Sequence, residues 1–96
     1  MSYKLRFTDD AKREWDKLDH VTRNRFSKKL SERLNNPRVP AARLSGQSDR
    51  YKIKLQSIGY RLIYEVRDNI LTVIVISIGK REKLAAYKTA ARRTTD

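Results

Sequence analysis

The chain has no cysteine, which excludes a disulfide framework, a thiol nucleophile and any cysteine-based zinc site. It has a single histidine, His20, so a paired-histidine ribonuclease or a multi-histidine metal site lacks its second partner. No cofactor motif is legible. No apolar run reaches about 18 residues, the length at which a membrane span becomes feasible. The first residues, MSYKLRFTDD, hold no apolar signal core, so a cytoplasmic location and no membrane partner are expected. Glycine and proline number only three and two, which leaves no linker or low-complexity tract. Negative charge is also in short supply: 11 Asp+Glu stand against 23 Lys+Arg, for a formal net charge of +12.

What is present fits one domain spanning residues 1–96. A hydrophobic fraction of 39% supports one modest core. The basic residues are spread along the whole chain rather than gathered in a tail, so they belong to the folded surface. A charge of this size on a small domain works against compaction, and it points to a polyanionic partner, most often nucleic acid.

The apolar pattern predicts the elements. Tyr3, Leu5 and Phe7 alternate with polar residues, as in a short strand. Thr8 is placed to cap a helix, with Asp9 and Asp10 at its positive end and Ala11, Trp15 and Leu18 on one side. Asp19 is placed to cap a second helix with the stripe Phe26, Leu30 and Leu34, ending at Asn35-Asn36-Pro37. The two form a helical hairpin. Residues 37–49 read as a loop. Three strands follow: one from Tyr51 to Leu55, one from Tyr60 to Val66, and one from Ile70 to Ile78 that is nearly all β-branched or apolar and suits a strand covered on both faces. Ile58-Gly59 reads as a two-residue turn, Asp68-Asn69 as the next, and Gly79 as the end of the last strand. Residues 81–93 have helical composition. The expected fold is α+β, an antiparallel sheet of about four strands in the order β-α-α-β-β-β-α.

Strand parity separates the chemistry from the core. Tyr51, Ile53, Leu55, Tyr60, Leu62, Tyr64 and Val66 share one face. Lys52, Lys54 and Arg61 share the other, with Glu65 as the counter-charge. A lysine-bearing face alone is as often a solvated surface as a binding patch; the guanidinium fork of Arg61, which suits phosphate, favours binding. Beyond the last strand, Gly79-Lys80-Arg81-Glu82-Lys83 is placed to present side chains into a cleft. Arg81 reads equally as a solvated charge at a helix start, where the dipole disfavours it and so hints at another reason for it. Tyr87, read alone, is a core residue of the last helix; its functional reading is stacking on a base. Trp15 reads as core or interface and His20 as an exposed polar residue. Asp9, Asp10, Glu14, Asp16 and Asp19 read as caps and helix-surface partners rather than a metal cluster.

Several tracts carry a resemblance: AKREWDKLD, KKLSERLNNPR, RLSG, YKIKLQSIGYRLIYEV, and VIVISIGKRE followed by AAY. Over nearly its whole length the sequence resembles the RelE toxins of the RelE/ParE superfamily. The combination of YKIKL, GYRL and GKRE is specific, whereas one lysine-rich strand is not. The resemblance implies a metal-independent endoribonuclease that enters the ribosomal A site, contacts ribosomal RNA and cuts mRNA, and that a RelB-type antitoxin neutralises. It implies Lys52, Lys54, Arg61, Arg81 and Tyr87 as the catalytic residues. Ser45 stands where the family pattern has an arginine before the loop glycine, and the tail AARRTTD also departs from it. The ParE branch, which shares the fold but acts on DNA gyrase, is the alternative, and a plain RNA-binding module is a third reading.

RNA is cut without metal when its 2′-hydroxyl attacks the adjacent phosphorus and expels the 5′-oxygen. That requires a base for the 2′-proton, positive charge for the phosphorane, and a proton for the leaving oxygen. The expected roles are Lys54 as base helped by Lys52, Arg61 on the phosphate, Arg81 on the developing charge or the leaving oxygen, and Tyr87 on the nucleotide. A lysine is an inefficient base, so positioning has to supply most of the acceleration. That accounts for a reliance on the ribosome as scaffold.

Overall fold

Two caps start the helical layer. The computed structural model describes residues 2–80 and 85–93. After strand β1 (Lys4–Phe7), the Thr8 side chain accepts from the Ala11 amide and opens helix α1 (Asp9–Asp16). Asp19 accepts in the same way from the Thr22 amide and opens α2 (His20–Asn35). Each cap satisfies an amide the helix leaves unpaired, and is worth about 1 kcal/mol. Pro37 lies just beyond the end of α2, where a residue that cannot continue a helix is tolerated. Phe26 and Leu30 are buried from α2. Trp15 fills the space between Phe7 and Phe26, with ring centroids at 5.2 and 6.5 Å, so the core reading of Trp15 holds.

The connecting segment contains a short 3₁₀ helix, Pro40–Ala42. Strands β2 (Arg50–Leu55), β3 (Tyr60–Arg67) and β4 (Thr72–Lys80) then form a meander. The sheet order is β1-β4-β3-β2. The α+β reading and the element order hold, but the sheet is mixed: β1 pairs with β4 in parallel, Lys4 beside Thr72 through Phe7 beside Val75. The helical hairpin returns the chain to the end of the sheet where it began, so β2 starts in the same direction as β1. Two reversals later β4 shares that direction and lies beside β1.

Three details differ from the sequence reading. The β2–β3 connection is four residues, Gln56–Gly59, because Leu55 rather than Ser57 faces Tyr60. The register is displaced by two residues, and a displacement of two keeps every side chain on its face. Gly59 takes φ +83°, a conformation that glycine adopts without strain. Gly79 does not end β4; it pairs with Arg61, and Lys80 pairs with Tyr60. The chain leaves β3 by a 3₁₀ turn, Asp68–Ile70, with Leu71 in the left-handed region at φ +48°. Between Ile63 and Tyr64 the β3–β4 register shifts, which leaves Ile76 as an extra residue in β4.

The sheet is covered on both sides. Against the helical hairpin lie Tyr51, Ile53, Leu55, Leu62, Tyr64, Val66, Val73, Val75 and Ile78. On the other face a smaller cluster joins Leu44, Ile63 and Ile76 to Ala90 of the C-terminal helix α3 (Ala85–Arg92). Residues 72–78 of β4 are all buried, as a strand covered on both faces requires.

Candidate functional site: a basic sheet face under the C-terminal helix

The alternation of β2 sends Tyr51, Ile53 and Leu55 into the core and leaves Lys52 half-buried and Lys54 exposed. Lys54 lies directly opposite Arg61, and Lys52 opposite Ile63. The next position across from Arg61 is Gly79. One row of the sheet therefore reads Lys54, Arg61, Gly79, with two cations beside a position that has no side chain. Lys52, Lys54 and Arg61 share the face opposite the helical hairpin, as parity predicts.

Arg61 departs from the picture of a solvated patch. It is only 7% exposed, and its Nη1 donates to the Tyr60 carbonyl at 3.2 Å. Its charge is held where water screens it little, which strengthens its action on an anion placed nearby. The counter-charge expected from Glu65 is already engaged. Arg50 Nε and Arg67 Nε donate to the two Glu65 carboxylate oxygens at 3.0 and 2.8 Å. Local acidity therefore balances Arg50 and Arg67 rather than Lys52, Lys54 and Arg61.

α3 lies over this face through Ala90. The backbone of Tyr87 belongs to α3, so the fold brings that segment to the sheet face that carries Lys52, Lys54 and Arg61. Arg81 lies outside the described residues. Ser45 is exposed in the turn before β2, next to Gly46 at φ +74°.

A basic groove, not anticipated from the strands, continues the site past the open edge of β2. Lys54, Arg25, Lys28 and Lys29 line a space of about 750 Å³ between β2 and α2, with Glu32 the one acid among the described lining residues. A second space of about 300 Å³ shares Lys29 and Lys54 and adds Arg33 and Lys52 over an apolar floor of Val39, Ala42 and Ile53. Arg33 also has a structural duty: its Nη1 donates to the Lys52 carbonyl at 3.1 Å and to the Tyr64 hydroxyl at 2.9 Å. The signal for this groove was present in the sequence. Arg25, Lys29 and Arg33 recur every four residues, which places them on one face of α2 beside the Phe26 stripe.

The acidic residues of α1 act as caps and partners. Lys12 donates to Asp16 at 2.7 Å, Arg13 to Asp10, and Arg93 to Glu14 at 2.9 Å. Among the described residues no three His, Asp or Glu side chains converge as metal ligands, and no helix is long and apolar enough to cross a membrane. His20 is exposed in the first turn of α2, with Nε2 at 3.1 Å from Asn24.

Comparison with known proteins bears on this geometry. Residues 5–85 match the family of ParE toxins of type II toxin–antitoxin systems. The mRNA interferase toxin RelE of Escherichia coli K12 is 48% identical over 93 residues, covering 97% of this chain and 98% of the relative. A putative RelE-like toxin of Escherichia coli is 44% identical over the same length, with the same shares covered. A free mutant form of E. coli toxin RelE superposes with a TM-score of 0.89 at 47% identity, covering 97% of this chain and 98% of that one. The chain belongs to the RelE toxins of the RelE/ParE superfamily, components of type II toxin–antitoxin systems.

Proposed function

We propose that the protein is a ribosome-dependent endoribonuclease that cuts mRNA in the A site and so halts translation. The observation that carries this reading is the row Lys54–Arg61 beside Lys52, whose neighbouring carboxylate is bound by two other arginines. Among the described residues no carboxylate pairs with Lys52, Lys54 or Arg61, and a cationic surface of this kind suits a phosphodiester that gains negative charge on the way to a phosphorane. The name of the K12 relative, an mRNA interferase, supports the same substrate class.

In this mechanism Lys54, aided by Lys52, takes the 2′-proton, and Arg61 holds the phosphate. Arg81 meets the charge on the phosphorane or the leaving oxygen, and Tyr87 orients the nucleotide. The 2′-oxygen bonds to phosphorus, the bond to the 5′-oxygen breaks, that oxygen takes a proton from solvent water to become the 5′-hydroxyl, and a 2′,3′-cyclic phosphate remains. The groove from Lys54 to Arg25 extends positive charge toward the ribosomal RNA that frames the substrate. The partner that silences the site is a RelB-like antitoxin, in keeping with the E. coli RelBE toxin–antitoxin complex, whose toxin superposes with a TM-score of 0.80 at 49% identity.

Primer extension on mRNA from cells expressing the chain tests the reading. Cuts locked to the reading frame support it; cuts independent of the frame indicate a free ribonuclease. Arg81→Ala and Tyr87→Ala are expected to abolish A-site cleavage with ribosome binding largely intact. Lost binding with unchanged single-turnover cleavage sinks these roles. The match to the ParE family favours a second reading, gyrase inhibition, which predicts loss of DNA supercoiling with no mRNA cut.

A further inference from the structure

Two arginines and one glutamate tie α3 to the rest of the fold. Arg50 is the first residue of β2, and its side chain reaches the C-terminal end of α3. There Nη1 donates to the Ala90 carbonyl and Nη2 to the Arg93 carbonyl at 2.9 Å, while Nε stays on Glu65. A cation on the last carbonyls of a helix satisfies unpaired acceptors and complements the helix dipole.

Arg93 works from the other side. Its Nη1 donates to the Ile76 carbonyl at 2.7 Å and to Glu14 Oε1 at 2.9 Å, and its Nη2 to Glu14 Oε2 at 3.2 Å. Glu14 Oε1 also accepts from the Ile78 amide at 3.1 Å. These β4 groups lie past the end of β1, whose last pair is Phe7 with Val75. Glu14 and Arg93 therefore finish the strand edge that β1 leaves open, and in doing so join α1, β4 and the end of α3.

Over the described side chains, the apolar seat of α3 is thin. Among its described side chains only Ala90 is fully buried, and an eight-residue helix is marginal by itself. The polar ties thus decide where α3 lies. We propose that Glu14, Arg50 and Arg93 are positioning residues that hold α3, and with it Tyr87, over the Lys52, Lys54 and Arg61 face. None of the three touches the reacting atoms. The proposal rests on the nuclease reading above.

The test pairs amide hydrogen exchange of residues 88–92 with single-turnover cleavage of ribosome-bound mRNA at saturating protein. Glu14→Gln and Arg50→Gln are expected to speed exchange in α3 by about tenfold, the factor expected for loss of a charge-assisted hydrogen bond. Exchange in β3 stays unchanged, and in β4 only the Ile78 amide, which Glu14 accepts from, follows the Glu14→Gln change. The cleavage rate falls by a similar factor with ribosome affinity unchanged, and Arg50→Lys, which keeps the cation but not the fork, falls between. Unchanged α3 exchange overturns the proposal, as does faster exchange with a wild-type cleavage rate. If wild-type protein fails to cut ribosome-bound mRNA, the nuclease reading falls and the positioning role falls with it.

Discussion

Lys54 and Arg61 stand directly opposite each other across the β2–β3 ladder, yet Lys54 is exposed and Arg61 is buried to 7% exposure. The pair places a mobile amine beside a guanidinium that the fold holds still. The two therefore fit different tasks in the proposed mechanism: Lys54 would adapt to a ribose hydroxyl, and Arg61 would offer a fixed charge.

Removing either group tests this division. Lys54→Ala is expected to lower the single-turnover cleavage rate by about 10²–10⁴, the usual contribution of a positioned base. Arg61→Ala is expected to lower it by about 10²–10³, as for loss of one preorganised charge. Arg61→Ala also removes a packed stem, so it lowers the melting temperature as well. Lys54→Ala leaves the melting temperature within error. Rapid-quench kinetics and thermal melts of the same preparations check both statements.

The groove makes a separate prediction about binding. Lys28 and Lys29 line it but lie away from the Lys54–Arg61 row. Replacing both with glutamine is expected to weaken ribosome binding and flatten its salt dependence. Each lost phosphate contact lowers the slope of log affinity against log salt by about 0.7–0.9. Cleavage at saturating protein stays at the wild-type rate. A titration at several salt concentrations reads the slope directly, and an unchanged slope removes the groove from the docking surface.

Tyr64 anchors the core beneath the site. It is fully buried; its hydroxyl donates to the Pro37 carbonyl at 2.6 Å and accepts from Arg33. Burial pushes its pKa up, and the Arg33 hydrogen bond opposes that rise. Tyr64→Phe leaves both partners short of a bond and is expected to cost about 1–3 kcal/mol. Urea denaturation measures it as a lower midpoint at unchanged slope.

Acid should weaken the fold through Asp19 and Asp68. The hydrogen bond from Tyr3, then that from Arg38, lowers the Asp68 pKa below its ordinary 3.8. The Thr22 hydroxyl and then its amide lower that of Asp19 in the same way. A depressed folded-state pKa means that the stabilisation is complete above the unfolded value and is lost as pH falls through the folded one. Melting temperature is expected to hold down to about pH 4 and to drop below it. Asp68→Asn flattens that drop. Tyr64 has the opposite sign at the alkaline end: its raised pKa favours the neutral form, so its contribution is lost as pH rises beyond 10 through the folded value.

The parts of the fold carried by local chemistry were readable from residues. Thr8 and Asp19 announce their helices because a short oxygen-bearing side chain before an apolar stripe has few other duties. Parity placed Lys52, Lys54 and Arg61 on one face even though the turn was misread, since an error of two residues does not change sides. Pairings set by distant segments were not readable. The parallel β1–β4 contact depends on the route of the helical hairpin, which no local pattern encodes. The hold of Arg50 on Ala90 spans 40 residues, and Arg50 itself looks like any surface cation in the sequence. The state of Glu65 was hidden for the same reason: a carboxylate on a basic face reads as a counter-charge until its actual partners are known.

The extra residue at Ile76 has a consequence for how this chain tolerates change. Before it, Val73 and Val75 point to the hairpin side; after it, Ile78 does. Even and odd positions exchange roles at that point. Val75, Ile76 and Ser77 are all fully buried, so substitution there disturbs packing on one face or the other. Losing Ile76 would restore the unbroken alternation and leave Ser77 through Lys80 opposite the same partners in β3, whereas adding one more residue there would turn Gly79 and Lys80 to the other side of the sheet. The loop over residues 43–49 can lengthen or shorten far more freely. At this point β4 can lose a residue without turning over, but it cannot gain one.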